Sequence, residues 1–162
     1  MALATANKVR IGSISSGTLR TEDLLEAFTW ELSYLLGDDL TRSQRNLLAA
    51  SANVDVDLEA NQGEGDALVD ELIDALHDLA PPLTYFGTLE GDGADFGFWP
   101  DWHQMLDERS INEGINGNAR LMVDDKEWLP ESELWLEVND HGNVTVYADD
   151  DGAPGAELWS CV

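Results

Sequence analysis

Asp66, Asp70, Asp74 and Asp78 recur every four residues, with Glu71 beside them. On a helix that spacing stands the carboxylates in a row about 6 Å apart along the axis. No lysine or arginine lies between residues 66 and 80, so nothing on the segment relieves the row's three like-charge i,i+4 contacts. Each opposes the helix by roughly 0.2–0.5 kcal/mol. The chemistry such a row offers is anionic binding, with carboxylates standing where a nucleic acid carries phosphates. Duplex DNA, however, offers a charge per roughly 1.7 Å of axis, so one row is several-fold too sparse to imitate it. Asp124, Asp125, Glu127, Glu131, Glu133 and Glu137, with the Asp149, Asp150 and Asp151 turn, supply further rows if they face the same way.

The whole chain carries the same sign. Its 8 basic and 33 acidic residues leave a formal charge of −25 over 162 residues. Only four negative charges net arise up to residue 62, where five basic residues meet nine acidic; the remaining twenty-one follow it. Self-repulsion of this size opposes attraction to nucleic acid and to anionic membranes, which excludes a direct DNA binder and favours a basic partner surface. An Asp-rich, Lys-poor surface is also what a high-salt cytoplasm selects, and solubility is the plain alternative. At 43% hydrophobic residues with six tryptophans the chain is too apolar for a disordered acidic tail and folds around a core. No apolar run approaches the roughly 18 residues of a membrane span, and MALATANKVRIGS lacks the apolar centre of a secretory signal, so a cytoplasmic location is expected.

Other chemistry finds little footing. Cys161 is the only cysteine, which rules out an internal disulfide and a multi-cysteine metal site; it reads as a small apolar residue in the last strand. His77 reads as a solvated residue among the acids, while His103 and His141 lack metal-ligand spacing. Asn53-Val-Asp55-Val-Asp57-Leu-Glu59 invites a calcium-loop reading, and Glu64 stands twelfth as such a loop needs, but Leu58 takes the sixth place, where the turn requires glycine. Gly91-Asp92-Gly93 lacks the lysine of a phosphate loop, and its neighbouring aspartates repel phosphate. No catalytic residues, cofactor or metal are therefore expected, and the protein reads as a binder and not an enzyme. A small enzyme or ligand-binding domain with a pocket beside the aromatic hairpin is the alternative.

The elements that must position the acids follow from periodicity. Residues to about Lys8 read as a loose tail, with a short edge strand through Val9 to Ile14. Thr21 opens a helix whose Leu24, Leu25, Phe28, Leu32, Leu35 and Leu36 share one face before Gly37 stops it. Thr41-Arg42-Ser43-Gln44 has the form of a capping box for a shorter helix ending at Asn53. A loop or edge strand then extends through Gly63 and Gly65, and the acid-bearing helix runs from Asp66 to Ala80, stopped by Pro81-Pro82. Leu83 to Pro100 predicts a β-hairpin turning at Gly91-Asp92-Gly93, its aromatic side chains the place for the helices to dock. A short helix over Asp101 to Arg109 with Trp102 inward, a loop over Ser110 to Asn118, and strands at Arg120 to Val123, Glu133 to Asn139, Val144 to Tyr147 and Glu157 to Val162 complete the chain. The expected class is α+β: a single domain over residues 1–162 with N-terminal helices packed on a C-terminal antiparallel β-meander.

EGDGADFGFWP at 90–100, VNDHGNVTVY at 138–147 and the closing ELWSCV resemble a loose set of acidic proteins encoded on phages and other mobile elements. That set has no assigned activity and no defined catalytic residues, so the resemblance implies a context, anti-defence, and no mechanism. Charge and context together predict a nucleic-acid-mimicking inhibitor that occupies the basic cleft of a DNA- or RNA-handling protein.

Overall fold

The computed structural model describes residues 8–38, 40–103, 118–122, 133–138, 143–151 and 153–161. Along the chain run β1 (Gly12–Ser16), α1 (Thr21–Leu36), α2 (Arg42–Asn53), a 3-10 turn (Glu59–Asn61), α3 (Gln62–His77), β2 (Thr84–Leu89), β3 (Asp92–Pro100), β4 (Asn118–Met122), β5 (Glu133–Val138), β6 (Val144–Asp150) and β7 (Ala153–Cys161). The class is α+β, with helices in the N-terminal half and strands in two sheets ordered β1-β3-β2 and β4-β5-β6-β7. Two compact units divide these elements: residues 13–80 with 86–98, and residues 1–12, 81–85 and 99–162.

In the unit of residues 13–80 and 86–98, α1 buries Leu24, Leu25, Phe28, Leu32 and Leu35, the stripe its periodicity predicts. Gly37 closes the helix at φ 60, a left-handed conformation that glycine adopts without steric cost, and its N–H donates to the Ser33 carbonyl at 3.0 Å. Phe28 is fully buried and meets two hairpin rings edge-on, Phe86 at 5.2 Å and Phe96 at 5.4 Å between centroids. Phe86 in turn meets Phe98 at 4.9 Å. The helix thus docks on the hairpin's aromatic side chains, as expected. The hairpin turns at Glu90-Gly91, one residue earlier than the glycines predict, because Gly91 takes the left-handed φ of 90 and Asp92 already belongs to β3.

The capping box at α2 is complete: the Gln44 N–H donates to Thr41 Oγ1 at 3.2 Å and the Thr41 N–H donates to Gln44 Oε1 at 2.9 Å. Between α2 and α3 the chain makes no edge strand. Asp55 forms an Asx turn, its Oδ1 accepting from the Asp57 N–H at 3.2 Å, and the 3-10 turn leads directly into α3. That helix begins four residues before Asp66 and takes in Gly63 and Gly65. The reason is packing: a Cβ at Gly65 would sit 2.7 Å from Val56 Cγ1 and 3.1 Å from Thr21 Cγ2, so the glycine marks a close approach and not a break.

The other unit is built on β4 to β7, all antiparallel neighbours. Val144 pairs with Cys161 and Val146 with Trp159, while Leu134 lies opposite Ala148. Leu83, Leu134, Val144, Val146, Leu158 and Trp159 form its core. Strand β6 continues through Asp149 and Asp150, which pair with Pro154 and Ala153, so the turn predicted at Asp149 to Asp151 begins later, and Asp151 carries its positive φ of 54. Pro154, which has no N–H to donate, is tolerated because β7 is an edge strand. Trp102 is 42% exposed and does not pack inward as the sequence predicts. The rest of the predicted 101–109 helix and most of the 110–118 loop lie outside the described residues.

Leu83 holds a φ of 62, a conformation that costs a leucine roughly 1–2 kcal/mol. It is 2% exposed, and full burial of a leucine side chain is favourable by about 1.5–3 kcal/mol, enough to offset the strain. Hydrogen bonds then fix the turn: Thr84 N–H to the Pro81 carbonyl at 3.1 Å, Asp101 N–H to the Leu83 carbonyl at 2.8 Å, and the Trp159 indole N–H to the Pro82 carbonyl at 2.8 Å.

Phe98 is fully buried in the ring cluster, whereas Trp99 beside it is half-buried. Phe98→Ala should therefore lower stability by about 3–5 kcal/mol in urea unfolding, and Trp99→Ala by less. Equal losses at the two positions would contradict the packing described.

Candidate acidic interaction surface

Asp66, Asp70, Glu71, Asp74 and Asp78 are all exposed, the first four on α3 and Asp78 as its C-terminal cap. A step of four residues advances about 400° around a helix, so the row drifts by about 40° per step and turns through about 120° from Asp66 to Asp78. The consequence is visible in the neighbours. Asp66 lies on the α1 side, where its Oδ1 accepts from Thr21 Oγ1 at 2.7 Å. Glu71, Asp74 and Asp78 instead border a groove of about 640 Å³ whose opposite wall is Thr41, Ser43, Gln44 and Asn46 of the α2 segment, over apolar Leu47, Ala50 and Leu68.

None of these five carboxylates is paired with a cation among the described residues. Asp74 and Asp78 also stand at the C-terminal end of α3, where the helix dipole disfavours negative charge. The surface is thus electrostatically uncompensated from within the unit, and a cation approaching from outside meets no competing pair. His77, expected to be merely solvated, is exposed but its Nδ1 accepts from the Phe86 N–H at 3.3 Å, tying the end of α3 to the hairpin and placing the ring hydrogen on Nε2.

The remaining acids divide. Asp150 and Asp151 are exposed at the β6–β7 turn. Asp149 lies in β6, and Glu133 and Glu137 lie in β5 opposite Met122 and Asn118. The side chains of those three fall outside the described residues, as do Asp124, Asp125, Glu127 and Glu131 altogether. The structure therefore gathers Asp66 to Asp78 on one helix of one unit and Asp150 with Asp151 on one hairpin of the other.

Opposite the buried stripe of α1 stands a pair of exposed aromatic rings. Trp30 and Tyr34 are 66% and 53% exposed, and their rings stack in parallel with centroids 5.6 Å apart and an interplanar angle of 2°. With Glu22 and Glu26 they repeat every four residues along the outward face. Two large aromatic residues at that spacing, out of phase with the leucines, were the signal available in the sequence.

Among the described residues no group of three His, Cys, Asp or Glu side chains is placed to hold a metal ion. His103 is exposed, and His141 lies outside the described residues. Cys161 is half-buried against the β4–β7 core, and desolvation pushes its thiol above the ordinary value, away from nucleophilic chemistry. No helix among the described residues is long and apolar enough to cross a membrane. Comparison with family models, curated proteins and solved structures finds no match to this chain.

Two outcomes follow for these residues. Asp70→Asn with Asp74→Asn relieves all three like-charge contacts of the row, so the melting temperature should hold or rise; a loss of more than about 1 kcal/mol would mean the carboxylates make stabilising bonds. For Cys161, a folded-state thiol value raised by burial means stability is complete below the unfolded-chain value and declines as pH rises through the folded one. Iodoacetamide should accordingly label Cys161 several-fold more slowly in the native protein at pH 8.5 than in urea, and equal rates would refute the shielding.

Proposed function

We propose that this protein is an acidic binding protein that occupies the basic nucleic-acid cleft of a DNA- or RNA-handling protein and so inhibits it. The observation that carries this reading is the exposed, cation-free carboxylate surface of α3 on a chain of net charge −25. A basic cleft is where such a surface gains most, because both partners shed the self-repulsion that each carries alone. The helical row is too sparse and too curved to copy a duplex backbone charge for charge. It acts as an anionic patch whose long-range field steers encounter, with Asp74, Asp78 and Glu71 clustered at the groove. We take a host defence protein as the target on the sequence resemblance alone.

Capture from a lysate of the protein's native host on the immobilised protein, followed by elution with increasing duplex DNA, tests the proposal. The expected result is a nucleic-acid-binding partner that DNA displaces. Retention of every captured partner at saturating DNA, or partners of which none binds nucleic acid, would refute it.

A further inference from the structure

The outward face of α1 borders a cavity whose chemistry differs from that of the α3 row. Tyr34, one turn C-terminal to Trp30, stacks on its indole; Glu26 and Glu22 lie one and two turns N-terminal. Trp30, Glu22 and Glu26 border a cavity of about 460 Å³ closed by Leu25, Val54 and Val56. Thr29 is among the lining residues, and its hydroxyl is shielded from solvent with no hydrogen-bond partner. A threonine in a helix normally bonds the carbonyl four residues back, as Ser51 does to Leu47 at 2.9 Å on the opposite wall. Glu26 makes no ion pair with a described residue, and Glu22 shares Arg20 at the rim.

An exposed indole bordering the cavity, an unpaired carboxylate one helical turn from it and apolar walls fit a planar cation on an apolar stem. A guanidinium stacks on an indole, pairs with a carboxylate and donates in its own plane, and its methylene stem suits the valine and leucine walls. Lysine supplies the charge without the stacking plane, and a neutral apolar side chain leaves Glu26 desolvated and unpaired. We infer that the Trp30–Glu26 cavity binds an arginine side chain presented by a partner segment. The site lies on α1, apart from the α3 row; it rests on the proposed function only in taking the arginine to belong to that basic partner.

Trp30 is mostly exposed, so Trp30→Ala should leave the fold intact, and Glu26→Gln is a conservative second variant. The probe is a capped five-residue peptide with two arginines between leucines, titrated while the Trp30 indole N–H resonance is followed by NMR. Saturable movement of that resonance is expected, with affinity about tenfold weaker for the same peptide carrying citrulline in place of arginine. A similar loss is expected for Glu26→Gln, and for Trp30→Ala when binding is read by calorimetry. Asp70→Asn with Asp74→Asn should leave the peptide affinity within about twofold, since those charges act here only through screened long-range attraction. Equal affinity for arginine and citrulline peptides, or an unchanged affinity in both cavity variants, would overturn the assignment. That result would leave DNA-displaceable partner capture standing, whereas capture without DNA displacement together with arginine-selective binding would remove the mimic and keep this site.

Discussion

The edge-on contact of Phe28 with Phe86 and Phe96 is the interaction on which the helical unit depends. A buried aromatic ring brings a large apolar area and, in edge-to-face geometry, a favourable quadrupole alignment, and here one ring joins helix α1 to both strands of the hairpin. The functional surfaces are set from that contact outward. With Phe28 inward, the periodicity of α1 turns Glu22, Glu26, Trp30 and Tyr34 outward. The packing of α3 on Leu68, Val69, Leu72 and Leu76 likewise leaves its carboxylates in water.

Charge shapes the rest. A chain at −25 folds against its own field, and the carboxylates of α3 lack cations on their own segment. Each like-charge contact costs only a few tenths of a kcal/mol, whereas a buried leucine or phenylalanine contributes about 1.5–3 kcal/mol, so a modest core outweighs a long acidic face. That margin lets a surface be strongly acidic without being unstructured. The α3 carboxylates form no ion pair among the described residues, and the proposed role in binding rests on that.

How much of this was legible in the sequence depended on whether the signal was local. The α1 stripe, the Thr41–Gln44 capping box, the aromatic hairpin and the β5 strand each rest on residues within a few positions of one another, and each appears close to where it was expected. Gly65 was misread because its reason is a neighbour nine residues back, Val56, whose methyl leaves no room for a Cβ. Leu83 gave no sign of its positive φ, since the burial that offsets it comes from strands more than fifty residues later. The row of aspartates was plain, but its winding about α3 emerges only when the residual rotation of each four-residue step is followed to the neighbours, Thr21 at one end and the α2 groove at the other. Trp30 and Tyr34 differ in sequence from core aromatics only in standing out of phase with the α1 leucines.

We propose that the α3 carboxylates act through charge on a basic partner. The salt dependence of affinity measures this most directly, comparing the parent with the Asp70→Asn, Asp74→Asn protein against the same purified partner. Electrostatic recognition predicts that log Kd rises steeply with log salt for the parent and less steeply for the variant, the two lines converging at high salt where screening removes the difference. Superimposed lines across the whole salt range would contradict the claim.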